Sequence, residues 1–291
     1  MSSENSIVNL GDISKPATVL IERISDAVGG IFKPYQMRRV AQAEADAKKI
    51  QAAGEIKVTE LQRRAMYRFL QEEAKRQENI ESITAKALPE LSADAKPEQV
   101  TNDWITDFFD KCRLISDLDM QQLWAKVLAG EANKPGKYSK RTLSLLSSLD
   151  KSDAELFTKL CSFAWSIEKV GSIVPLVYDY RNEVYSKGEI SCLDLIHLSD
   201  IGLIRFEGLA GGFRRLGIDK KSLVCYYGKQ VKALIHFPKP KGNALHWGQV
   251  SFSKAGEQLA SICSPKPQEG FVDYVFGEWR KQGLTVEVVS T

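Results

Sequence analysis

Apolar positions recur at spacings of three, four and seven through the first two thirds of the chain, and shorter alternating runs join them in the last third. The pattern predicts a helical protein that closes on a mixed unit of strands and helices. It is densest from Thr101 to Leu149. Trp104, Ile105, Phe108, Cys112 and Ile115 form one helical face behind a cap at Asn102 or Asp103. A second cap at Ser116 or Asp117 opens the stripe Met120, Leu123, Trp124, Val127 and Leu128. Gly130 is expected to end that helix, Pro135-Gly136 to turn the chain, and Ser139 to cap a third helix bearing Thr142, Leu143, Leu146 and Leu149. Trp104 and Trp124 are expected in the seam between these helices. Asp117, Asp119, Lys140 and Arg141 are the polar residues that such a module leaves outside, and helix-end stabilisation explains the two aspartates better than a metal does.

Upstream, Ile13, Ala17, Leu20, Ile21, Ile24, Ala27, Val28 and Ile31 share a helical face that ends at Lys33-Pro34. This segment either packs on the rest of the protein or a sister subunit, or lies on a membrane surface. Its polar face carries both signs of charge, which weakens the membrane reading. Residues 35–88 are rich in Ala, Glu, Gln, Lys and Arg and lack proline, as in one long rod or two helices broken near Gly54. The stripe there is narrow (Ile50, Val58, Leu61, Ala65, Phe69, Leu70), and a narrow stripe on a charged helix calls for a partner surface. Contacts with a second copy, or with membrane, are therefore assigned to Leu20, Ile24, Val28, Ile31, Phe32, Leu61 and Phe69. Residues 89–97 read as a linker.

Beyond the tryptophan module, Ser152-Asp153 caps a helix through Leu156, Leu160, Phe163, Ala164 and Ile167, and 171–189 reads as a connection. From Cys192 the order is helix to Gly202, short strand, paired strands, helix from Ser253, helix from Phe271 and a last strand at Leu284–Val289. That order is expected of a winged-helix-like unit, a shape used for DNA or for protein contacts.

Charge and composition narrow the chemistry. The 291 residues carry a net charge of +3, too little to require a nucleic acid or a membrane. Residues 205–241 are locally basic, and Arg214, Arg215, Lys220, Lys221, Lys229, Lys232, Lys239 and Lys241 are the candidates for contact with phosphates. The alternative is a solvated strand face with charged edges. Five scattered cysteines and the lack of a basic-then-apolar leader suit reduced thiols in the cytoplasm. His197, His236 and His246 are too far apart for a metal cluster. Gly208, Gly211, Gly212 and Gly217 miss the phosphate-loop spacings, and Ser148–Lys151 lacks companion motifs. No catalytic residue, cofactor or metal site is assigned, and the reading leans away from an enzyme.

The run Met120, Leu123, Trp124, Ala125, Val127, Leu128, Ala129, Gly130, Glu131, then Pro135, Gly136, Ser139, Arg141, Thr142 and Leu143, resembles the bacterial domain-of-unknown-function family numbered 2806. The likeness extends over most of the chain and concentrates in residues 77–165. More distantly the chain is similar to proteins of the Abi-alpha type, which implies a setting of abortive infection against phage. Neither likeness transfers a catalytic residue. The expectation is a mainly α protein: an amphipathic segment (1–34), a charged helical arm and linker (35–97), a central helical domain (98–190) and a winged-helix-like α+β domain (191–291). Its expected role is a homo-oligomeric interaction or effector protein that meets a protein or phage component. Nucleic-acid regulation and peripheral membrane action are the alternatives.

Overall fold

The computed structural model describes residues 14–29, 59–168, 172–208, 213–215, 221–227, 231–239 and 243–289. It is helix-rich but mixed, with an antiparallel sheet, and divides into two compact units, Met1–Ser147 and Ser148–Thr291. The division differs from the expected boundary after residue 190. Residues 148–190 belong to the same unit as the C-terminal strands because they supply part of its sheet.

In the first unit, helix α1 (Lys15–Val28) is capped by the Ser14 hydroxyl and ends at Gly29, whose φ of 84° suits glycine. Ala17, Leu20 and Ile24 are buried where α1 packs on α3 (Asn102–Cys112) and on the turn at 97–99. Arg23 also donates to the Val100 carbonyl at 2.6 Å. Leu20 and Ile24 therefore face the chain's own interior, which corrects their assignment to a membrane or a second subunit. Val28 is half-buried, and Ile31 and Phe32 lie outside the described residues.

Helix α2 (Glu60–Ala87) opens with a Thr59/Gln62 capping box, so the chain starts a fresh helix there. The rest of the 35–58 rod lies outside the described residues. The 89–97 linker is flanked by two short 3₁₀ turns, Leu88–Glu90 and Pro97–Gln99, and the chain between them is clasped to α4 (Leu118–Asn133) by Lys96 N–H to the Ala132 carbonyl and Ser92 N–H to Asn133 Oδ1, both 2.8 Å. Thr101 caps α3 and Asp117 caps α4. Helix α5 (Lys140–Ser147) follows, with Ser139 Oγ accepting from Thr142 N–H. Phe108 stacks on Trp104 and meets Trp124 edge-on, both with centroids 5.2 Å apart, so the two tryptophans share one seam as expected.

The second unit begins with α6 (Lys151–Cys161). The helix does not continue to Ile167: Ala164–Ile167 is strand β1, whose Trp165 is fully buried. Strands β2 (Ser172–Pro175), β5 (Lys221–Tyr226), β6 (Lys232–His236) and β9 (Thr285–Val289) join it in the antiparallel order β2-β1-β5-β6-β9. Helix α10 (Phe271–Lys281) brings Trp279 to 5.0 Å from Trp165, and Tyr226, paired with Trp165 across the strands, lies 5.4 Å from it. Helices α7 (Glu183–Lys187) and α8 (Cys192–Asp200) precede β3 (Ile204–Phe206), which pairs with β8 (Val250–Phe252) ahead of α9 (Lys254–Ala260); β4 (Phe213–Arg215) pairs with β7 (Ala244–His246). A Cβ at Gly248 would lie 1.9 Å from the Val177 carbonyl oxygen, so only glycine fits that crossing.

Candidate interaction surface

The motif around Trp124 proves to be a clasp. Glu131, 3% exposed, accepts from Gly136 N–H at 2.6 Å and from Tyr138 N–H at 2.8 Å, fixing the Pro135-Gly136 turn back onto α4. Burial pushes its carboxyl above the ordinary range, against the pull of the Tyr138, Gly136 and Lys137 amides. Trp104 Nε1–H donates to the Tyr138 carbonyl at 2.8 Å. Gly130 does not end α4, which runs on to Asn133. Glycine is needed there because a Cβ would sit 2.8 Å from the buried Tyr138 ring. Gly136 has φ of 82°, and Thr142 is buried. Of the motif side chains, Ser139 and Arg141 are left on the surface. This cluster positions helices and offers no reacting group.

Helix α2 has two halves. From Asn79 to Ala87 it is seated on α4 through Ile83, Thr84 and Ala87 and through a polar network. Gln121, 3% exposed, donates to Asn79 Oδ1 and the Ile115 carbonyl, while its Oε1 accepts from Ser82 Oγ at 2.8 Å and Lys86 Nζ at 2.7 Å. Burial holds the Lys86 amine below its usual range. Asn79 also donates to the Arg113 carbonyl at 2.9 Å. From Glu60 to Lys75 the helix stands clear: every residue is exposed except the half-covered Glu73. Leu61 (69%), Met66 (61%), Phe69 (60%) and Leu70 (63%) are open to solvent. With 3.6 residues per turn, Leu61, Ala65, Phe69 and Met66 fall on the helix face that Asn79, Ile83, Ala87 and Thr84 bury lower down, and Leu70 lies beyond its edge, half a turn from Leu61. The packing face continues for four turns past the end of its support.

A family model described as a protein of unknown function, DUF2806, matches residues 63–276. That span is most of the chain. The chain belongs to the DUF2806 family. No curated protein and no solved structure matches it. The DUF2806 segment takes in the clasp and the free half of α2 from Arg63 onward, leaving Glu60–Gln62 outside it.

The other expected site residues of this DUF2806 chain are dispersed. Lys220, Lys229 and Lys241 lie outside the described residues; Arg214 and Arg215 fall on β4. Lys221, Lys232 and Lys239 are exposed. Lys221 pairs in register with His236 and Lys232 with Cys225, which sets them at opposite ends of β5–β6 with the Leu223–Leu234 pair between. Glu287 neighbours Leu234 and contacts His236 Nε2 at 3.4 Å. Among the described residues, Lys221 and Lys232 do not form one continuous basic face. His197 Nε2 contacts Asp153 Oδ1 at 2.7 Å, a satisfied histidine on α8. Leu193 (76% exposed) and Ile196 (43%) lie open on α8, a surface that alternating charge and polarity did not reveal. Among the described residues no group of His, Cys, Asp and Glu could hold a metal, and no helix is long and apolar enough to cross a membrane.

Proposed function

We propose that this protein is a non-enzymatic interaction protein that self-associates through the free half of α2. The supporting observation is the solvent exposure of Leu61, Met66 and Phe69 on the helix face that α2 buries lower down, with Leu70 exposed beside it. An isolated helix of this length is marginal in water, and its exposed Glu60–Arg63 and Arg68–Glu72 pairs add little. A partner surface supplies the missing burial. In the second unit, Leu193 and Ile196 suit a protein contact better than a phosphate backbone does.

The likeness to abortive-infection proteins adds a setting to this proposal: bacterial defence, in the cytoplasm, with a phage component as trigger. Light scattering on the intact chain tests the assembly. Mass is expected to rise above the monomer value with concentration and to fall back in the Phe69→Glu variant. A monomer at every concentration rejects the reading. The setting is tested by phage plating on cells carrying either form, where protection by wild type alone is expected and equal plating rejects it.

A further inference from the structure

We infer that Cys161 and Cys263 are a peroxide-sensitive thiol pair, with Cys263 as the sulfur that is oxidised and Cys161 as the one that closes a disulfide onto it. This inference is independent of the α2 reading. Both residues are thiols in the structure. Cys161 is the last residue of α6 and is fully buried, whereas Cys263 is half-buried and lies just past the end of α9. The two meet where α9 packs on α6. Thr158 Oγ1, one turn before Cys161 on α6, lies 3.7 Å from Cys263 Sγ, and the Cys161 thiol hydrogen-bonds to that same sulfur. Cys263 is held from two further sides. Its thiol donates to the Leu259 carbonyl at 3.5 Å, and the Tyr227 hydroxyl oxygen lies 2.8 Å from the Cys263 carbonyl oxygen.

Exposure assigns the roles. A small oxidant in solution reaches Cys263 and not Cys161. Burial and the neighbouring Cys263 push the Cys161 thiol well above its ordinary range, so it stays protonated and inert toward peroxide. The Cys263 thiolate attacks one oxygen of hydrogen peroxide. An S–O bond forms, the O–O bond breaks, and the second oxygen leaves as hydroxide, which takes up the proton that Cys263 lost and becomes water. The sulfur gives up two electrons to the peroxide and is left as a sulfenic acid. Cys161, already in contact, then displaces the sulfenic oxygen: the S–S bond forms, the S–O bond breaks, and the oxygen departs as water with the Cys161 proton. Two thiols and one peroxide become one disulfide and two waters. The new bond ties α6 to the turn after α9 and closes the long loop from Cys161 to Cys263, so the oxidised unit is expected to resist unfolding more than the reduced one.

The test treats the reduced full chain with hydrogen peroxide, alkylates the remaining thiols after unfolding, and maps the cysteines by mass spectrometry with and without dithiothreitol. Wild type is expected to yield two peptides joined through Cys161 and Cys263, to gain in Tm as the bond forms, and to lose both changes in dithiothreitol. Cys263→Ser is expected to show neither, with Cys161 recovered as an alkylated thiol. Cys161→Ser is expected to carry a sulfenic or sulfinic acid at Cys263 and to gain nothing in Tm. The wild-type map decides the matter even where a variant folds poorly. Peroxide that leaves both thiols intact, a sulfinic acid at Cys263 beside an untouched Cys161, or a bond from either residue to Cys192 or Cys225 instead overturns the proposal.

Discussion

Single side chains do most of the fastening in this fold, and their loss is expected to be costly. Glu131 satisfies buried backbone amides across the Pro135-Gly136 turn, so Glu131→Ala is expected to destabilise by roughly 2–4 kcal/mol in urea unfolding, as buried donors lose their acceptor. Gly256 shows two effects in opposition. Alanine in a helix gains about 1 kcal/mol over glycine. A Cβ here, however, would lie 1.9 Å from the Leu203 carbonyl oxygen, which is backbone and cannot swing away. The clash wins, and Gly256→Ala is expected to cost a net 2 kcal/mol or more, on the order of overpacking penalties.

Asp153 supplies a pH dependence. Burial raises its carboxyl, but the His197 hydrogen bond, the Asp150 amide and the His197 charge together outweigh this and hold it below the ordinary range. A folded pKa below the unfolded one contributes stability above the unfolded value, about 3.9, and loses it as pH falls through the folded value. Asp153→Asn is therefore expected to lower Tm at neutral pH and to converge with wild type in acid. A Tm difference that persists unchanged in acid contradicts the assignment.

At the scale of elements, the seam between α2 and α4 is specified by polar groups. Gln121→Leu leaves Ser82 and Lys86 without their shared acceptor and Asn79 without a donor, and a loss of about 1–3 kcal/mol is expected in thermal or urea unfolding. This seam was invisible in the sequence, because periodicity reports apolar faces and counts Gln121 and Asn79 as surface. The helices themselves were legible where a stripe alternates with polar residues: α1, α3, α4 and α10 follow their spacing closely. Strand β1 was not, since Phe163-Ala164-Trp165-Ser166-Ile167 is apolar at nearly every position and a strand buried on both faces has no period to read. Gly130 misled for a related reason. Glycine near a helix end usually marks a stop, whereas here it admits an aromatic ring.

At the scale of the molecule, the tryptophan module was legible as a helical core, and Leu61, Phe69 and Leu70 of the expected stripe are exposed. The way the α2 face splits between a seated half and a free half was not legible. It depends on where α4 stops supporting α2, and α4 is far away in sequence. Leu20 and Ile24 carry an equally good stripe and bury it against α3, so amphipathicity alone does not separate an internal face from an external one. The central claim, a helix half that is bare in the monomer and covered by self-association, is tested most directly by hydrogen exchange over residues 60–76 at rising protein concentration. The account predicts fast exchange when dilute and protection that grows with concentration, while residues 79–87 stay protected throughout. Protection of 60–76 that is already full at the lowest concentration, or exchange that stays fast at the highest, contradicts it.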